Sequence, residues 1–141
     1  MGKLKPITIV EVKKIAHFFA KKHLEWDEPI PLFKTRAPNI LESSLAIPFQ
    51  RFSNKDLYQG LLEKSAILFY LMIKNHPFQN GNKRIAITTL LVFLAKNGKW
   101  IKVNNKDIYK FAKWIANSNS ESKDGAVQAI KDFLKKNIVD F

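Results

Sequence analysis

Apolar side chains return at helical spacing along almost the whole chain. Thr8 and Glu11 have the spacing of a capping box, and Val12, Ile15, Ala16 and Phe19 behind them form one apolar stripe. This predicts a first helix from Thr8 to about Leu24. The stretch Trp26 to Pro38 holds Pro29, Pro31 and Pro38, which favour extended or turn backbone over helix. Asn39 and Glu42 repeat the capping spacing, so a short helix is expected through Leu45, stopping near Pro48. Leu57, Leu61, Leu62, Ala66, Phe69, Met72 and Ile73 then mark a longer helix, expected from Ser53, with Asp56 in its first turn, to about Asn75.

After a loop, Asn82 to Lys96 reads as the next helix, closed by Asn97 and Gly98. Its middle, Ile85 to Ala95, is apolar except for Thr88 and Thr89, so no wide polar face is left for water. A helix that is apolar all round is a buried one. Two amphipathic helices follow, at about Lys106 to Asn117 and Ser122 to Lys136, offering Ile108, Phe111, Trp114, Ile115, Val127, Ile130, Phe133 and Leu134 to the core. The expected fold is all-α, a helical bundle around a central buried helix at about residues 82–97. No repeat or linker divides the 141 residues, a length near that of one domain of roughly 150, so residues 1–141 are expected to form one.

Composition narrows the function classes. There is no cysteine, which excludes disulfide frameworks, thiolate nucleophiles and Cys-based zinc sites. The longest nearly apolar runs, Ser65 to Ile73 and Ile85 to Ala95, fall short of the ~18 residues of a bilayer span. Lys3 and Lys5 precede only a short apolar run, so no secretory leader is expected and the cytoplasm is the expected location. Lys and Arg number 24 against 12 Asp and Glu, a net +12 that raises the prospect of a polyanionic partner. Yet 21 of the 24 are Lys, which lacks the planar fork of Arg, and most of the surplus reads as a solvated surface.

Specific chemistry is concentrated in His76-Pro77-Phe78-Gln79-Asn80-Gly81-Asn82-Lys83-Arg84. An imidazole stands at the end of one buried helix, Phe78 is an apolar anchor, and Asn80-Gly81 permits a tight turn. The next helix then starts at Asn82, and its first turn offers unpaired N–H groups and the positive end of the helix dipole. Lys83 and Arg84 add two cations there. A general base beside an anion-binding helix end suits phosphoryl or nucleotidyl transfer. The bland alternative is a helix–loop–helix connection with Phe78 as plug. A DNA-reading helix-turn-helix is excluded, because Ile85 to Ala95 cannot present polar side chains to a groove, and nucleic acid is not an expected partner.

HPFQNGNKR closely resembles the motif of the Fic/Doc family, fitting it at every position but Asn80, where the family has Asp or Glu. Ile40 to Ala46 followed by Pro48, and Ala66 to Gly98, look like helices of its Doc (death-on-curing) branch, and the likeness in helix order covers roughly residues 7–137.

The resemblance implies a Fic fold with a short extended flap, and an enzyme that uses ATP or another nucleoside triphosphate with Mg²⁺ to modify a protein hydroxyl. Carried across, His76 would be the general base, Gly81 and Asn82 part of the phosphate cradle, and Lys83 and Arg84 phosphate ligands. Lys83 stands where adenylyltransferases of the family usually have Gly. Doc-like members have Lys there, which implies γ-phosphoryl transfer, that is a protein kinase. Adenylylation (AMPylation) is the alternative. Doc toxins phosphorylate elongation factor Tu and halt translation, so a target with a Ser, Thr or Tyr hydroxyl is implied. Asn80 would be a neutral metal ligand at the acidic position, which raises a further alternative, a Fic-fold binding or regulatory protein with reduced turnover. Ile30, Leu32 and Phe33, in the segment Glu28 to Pro38, would be the flap that docks the target. No Glu is followed by Gly or Asn, so the family's internal inhibitory helix is not expected, and restraint of a toxin would come from a separate antitoxin.

Overall fold

A computed structural model of the chain describes residues 3–23 and 30–141. Six helices carry the fold: α1 over residues 9–23, α2 at Pro38–Ala46, α3 at Gly60–Lys74, α4 at Asn82–Lys96, α5 at Asn105–Ala116 and α6 at Lys123–Asn137. Two antiparallel pairs of short strands complete it, β1 (Arg51–Phe52) with β2 (Lys55–Asp56), and β3 (Lys99–Ile101) with β4 (Ile138–Asp140). The architecture is the all-α bundle expected, although both strand pairs escaped the helical reading.

Helices α3 and α4 form the centre, packed on each other, with α6 against α3, α5 against α4, and α1 across α4. Phe69 of α3 and Phe93 of α4 are fully buried, and burying such a side chain contributes roughly 1.5–3 kcal/mol. Thr88 needs no polar face, because its hydroxyl donates to the Ala16 carbonyl of α1 at 2.8 Å. Gly98, with φ 81, ends α4 as the C-terminal signal implied. One side of α4 is open: Leu91, Val92 and Ala95 are only half-buried.

The first helix begins with the expected capping box between Thr8 and Glu11, but its buried face differs from the predicted stripe. Val12–His17 is π-helical, and a π turn takes more residues than the about 3.6 of an α turn. The phase therefore slips. Val12, Ala16, His17 and Ala20 are buried, whereas Ile15 and Phe19 are turned out and line an apolar groove of about 430 Å³ against Leu91, Val92 and Trp100. Leu24, the expected end of the helix, lies outside the described residues.

Three other expectations need correction. Helix α2 starts at Pro38 with Ala37 as its N-cap, not at Asn39, since proline is well suited to a first helical position where its missing N–H is not needed. Helix α3 starts at Gly60, not Ser53. Ser53 and Asn54 both have positive φ, 51° and 64°, the conformation of a two-residue hairpin turn, so the segment pairs as β1–β2. Lys64 ties that hairpin to α3, its buried ammonium donating to the Pro48 and Tyr58 carbonyls and to Asp56 Oδ2. Trp114, expected in the core, is half exposed and stacks on Phe111 with centroids 5.9 Å apart.

Candidate active site

The loop between α3 and α4 is held from both ends. Asn75 caps α3, and His76 follows in the left-handed region with φ 50°, a conformation that glycine usually fills after a helix and that costs a side-chain-bearing residue of order 1–2 kcal/mol. Pro77 is tethered by its carbonyl, which accepts from Ala37 N–H at 2.8 Å. Phe78 is buried against His17 and Phe33, centroids 5.7 and 5.9 Å away.

Asn82 closes the loop. Its side chain folds back over the first turn of α4, Oδ1 accepting from Phe78 N–H at 2.9 Å and Nδ2 donating to the Phe78 carbonyl at 2.8 Å. That pairing sets the amide orientation, and Nδ2 also faces His76 Nδ1 at 3.4 Å. With Nδ1 accepting, the proton of a neutral ring sits on Nε2. The contact is long and His76 is exposed, so a half-turn of the ring is open to it.

Gly81 is the N-cap of α4 at φ 73°. A Cβ there would stand 3.3 Å from Ile30 Cγ1 and 3.5 Å from Arg84 Nη2, so glycine is needed both for the backbone sign and for the close approach of its neighbours. Arg84 is buried at 3% exposure, while Lys83 is half-buried. One pocket of about 460 Å³ gathers His76, Asn80, Gly81, Asn82, Lys83 and Arg84, so the structure brings together all six motif residues singled out in the sequence. Tyr109 and Lys113 of α5 also line it. Nothing in the sequence distinguished Lys113 among 21 lysines; the packing of α5 on α4 delivers it.

Electrostatically the pocket suits an anion. Lys83, Arg84, Lys113 and the α4 N-terminus face it, and no carboxylate lines it among the described residues. Ala116, at the C-terminal end of α5, lines it too, and a helix C-terminus would repel an anion. There Lys74 Nζ donates to the Ala116 carbonyl at 3.2 Å and to the Ser118 carbonyl at 2.6 Å, offsetting that negative end.

A divalent metal fits poorly. Asn80 Oδ1 is buried without a hydrogen-bond partner, which leaves one neutral oxygen for a cation. No group of three or more His, Asp or Glu that could hold a metal occurs among the described residues, and Mg²⁺ is normally held by one or two carboxylates besides phosphate oxygens. The pocket residues do not build a site for it.

The flap segment is less extended than expected. Glu28 and Pro29 lie outside the described residues, and Phe33–Thr35 is a 3₁₀ turn. Ile30 is buried against Gly81 and Phe33 packs on His17, with Arg36 over its ring at 4.4 Å, leaving Leu32 alone of the three docking candidates exposed. His17 supports this layer by donating from Nε2 to the Pro31 carbonyl at 2.7 Å. Burial pushes its pKa below the usual imidazole value, against the opposing effect of the Pro31 hydrogen bond.

A helical bundle whose central helix opens on a glycine turn, with a histidine and fixed cations around its N-terminus, defines a protein built to hold an anion beside a proton acceptor. The model of the Fic/DOC family matches residues 6–94, from the start of α1 almost to the end of α4, and the chain belongs to that family. It is thereby a transferase of the Fic type. No curated protein and no solved structure matches it. Among the described residues no helix is long and apolar enough to cross a membrane.

Proposed function

We propose that the protein is a Doc-like kinase that moves the γ-phosphoryl group of ATP to a Ser, Thr or Tyr hydroxyl of a target protein in the cytoplasm. The observation that carries this reading is Lys83 in the wall of the same pocket as His76 and Arg84, at the position where family adenylyltransferases usually have Gly. The target hydroxyl oxygen would form the new bond to the γ-phosphorus while the bond to the β,γ-bridging oxygen breaks and ADP leaves. The hydroxyl proton passes to a bare ring nitrogen of His76. Charge on the phosphates is met by the α4 N–H groups, Lys83 and Arg84. As in the Doc branch, such a protein would act as a translation-inhibiting toxin restrained by a separate antitoxin, with elongation factor Tu the first target to try. The +12 surface suits an acidic protein partner.

The test is incubation with bacterial lysate and ATP labelled at the γ- or, separately, the α-position. Protein-bound label from γ that disappears in His76→Ala supports the kinase. Label from α would replace it with adenylylation. Asn80 favours a second reading, a Fic-fold binding or regulatory protein with reduced turnover, since its neutral oxygen replaces a carboxylate. Turnover in the wild type as robust as in Asn80→Asp would remove that reading.

A further inference from the structure

The pocket was matched above to a nucleotide, and the further inference rests on that reading. We propose that it binds the polyphosphate without a divalent metal, with Lys113 of α5 supplying positive charge that a metal would otherwise bring.

Three observations converge on this. Asn80 presents a neutral, unpartnered oxygen, and the pocket wall holds no carboxylate among the described residues, so a bound divalent ion would meet Lys83, Arg84 and Lys113 with no negative protein charge to hold it. Like charges in one pocket repel, and a free polyphosphate relieves that repulsion where its metal complex relieves it less. Lys113 comes from a different helix than Lys83 and Arg84, so it can reach phosphate oxygens that the α4 N-terminus does not cover. Its ammonium lies 5.7 Å from the Tyr109 ring centroid, which keeps its stem along the pocket wall. The Lys74 contacts with the end of α5 prevent that helix's carbonyls from cancelling the Lys113 charge.

Calorimetric titration with ATP, and with inorganic triphosphate as a base-free probe, tests this in EDTA and in excess Mg²⁺. Wild type should bind both probes in EDTA at least as tightly as in Mg²⁺. Lys113→Ala, at an exposed position where unchanged thermal unfolding checks the fold, should weaken binding in EDTA by roughly tenfold, the scale of one charged hydrogen bond. Asn80→Asp should reverse the preference, so that Mg²⁺ tightens binding. Wild-type binding that requires Mg²⁺, or a Lys113→Ala variant that binds as well as wild type, overturns the inference while leaving the nucleotide reading standing. Absence of ATP binding in both conditions overturns the nucleotide reading and the inference with it.

Discussion

Removing the Asn82 amide should unfasten the loop that carries His76. In Asn82→Ala the Phe78 N–H and C=O lose partners at 2.9 and 2.8 Å. Both sit in a place water reaches poorly, Asn82 being 6% and Phe78 3% exposed. A buried polar group left unpaired costs about 1–3 kcal/mol. Two such groups, partly relieved by water entering the vacated space, give a loss of about 2–4 kcal/mol. For a chain of this length that corresponds to a fall in Tm of roughly 10 °C. Urea denaturation followed by circular dichroism measures it, with Asn75→Ala, on the exposed end of α3, as the control expected to change little. The left-handed backbone at His76 depends on the same fastening, so amide exchange at residues 76–80 should rise further than elsewhere. If Asn82→Ala stays within about 0.5 kcal/mol of wild type, the clamp is not what holds the loop and the account of the site is wrong.

Gly81→Ala should cost about 1–2 kcal/mol for its positive φ plus the displacement of Ile30. Gly60→Ala, also at positive φ but with open space where its Cβ would go, should cost only the backbone part, and equal losses in the two would refute the Ile30 contact. Val12→Ala should destabilise by about 2 kcal/mol and Ile15→Ala by clearly less; the opposite order in chemical denaturation would contradict the π-helical phase of α1. His17 has a folded-state pKa below its ordinary 6.5, so the unfolded chain binds more protons in the window beneath that value. Its contribution to stability is therefore present above pH 6.5 and lost as the pH falls through the folded pKa. His17→Gln, whose amide can still donate to Pro31, should flatten that part of a stability-against-pH curve, and an unchanged slope would refute the assignment.

Much of this molecule is written locally. The Thr8–Glu11 capping box, the Asn97-Gly98 stop and the apolar middle of α4 each follow from contacts within a few residues, and so does the gathering of His76, Gly81, Asn82, Lys83 and Arg84 around one helix start. The nine-residue motif is contiguous, so its chemistry is visible without a fold. Errors fell where the deciding interaction spans elements. Leu57 and its neighbours have helical spacing, yet the buried Lys64 and the Ser53-Asn54 turn hold residues 51–56 as a hairpin. Ile15 and Phe19 match a helical stripe, but packing on α4 selects the π phase that buries Ala16 and His17 instead.

The sequence by itself determined a helical bundle and a phosphate-suited helix start beside a histidine, because capping, periodicity and turn chemistry are short-range. Only the tertiary structure decided what surrounds that start. Asn82 became a clamp through the position of the Phe78 backbone, Ile30 came to rest on Gly81 from some fifty residues away, and Lys113 entered the pocket because α5 packs beside α4. No spacing rule connects such residues, since a contact across the core depends on the whole arrangement of helices rather than on separation along the chain.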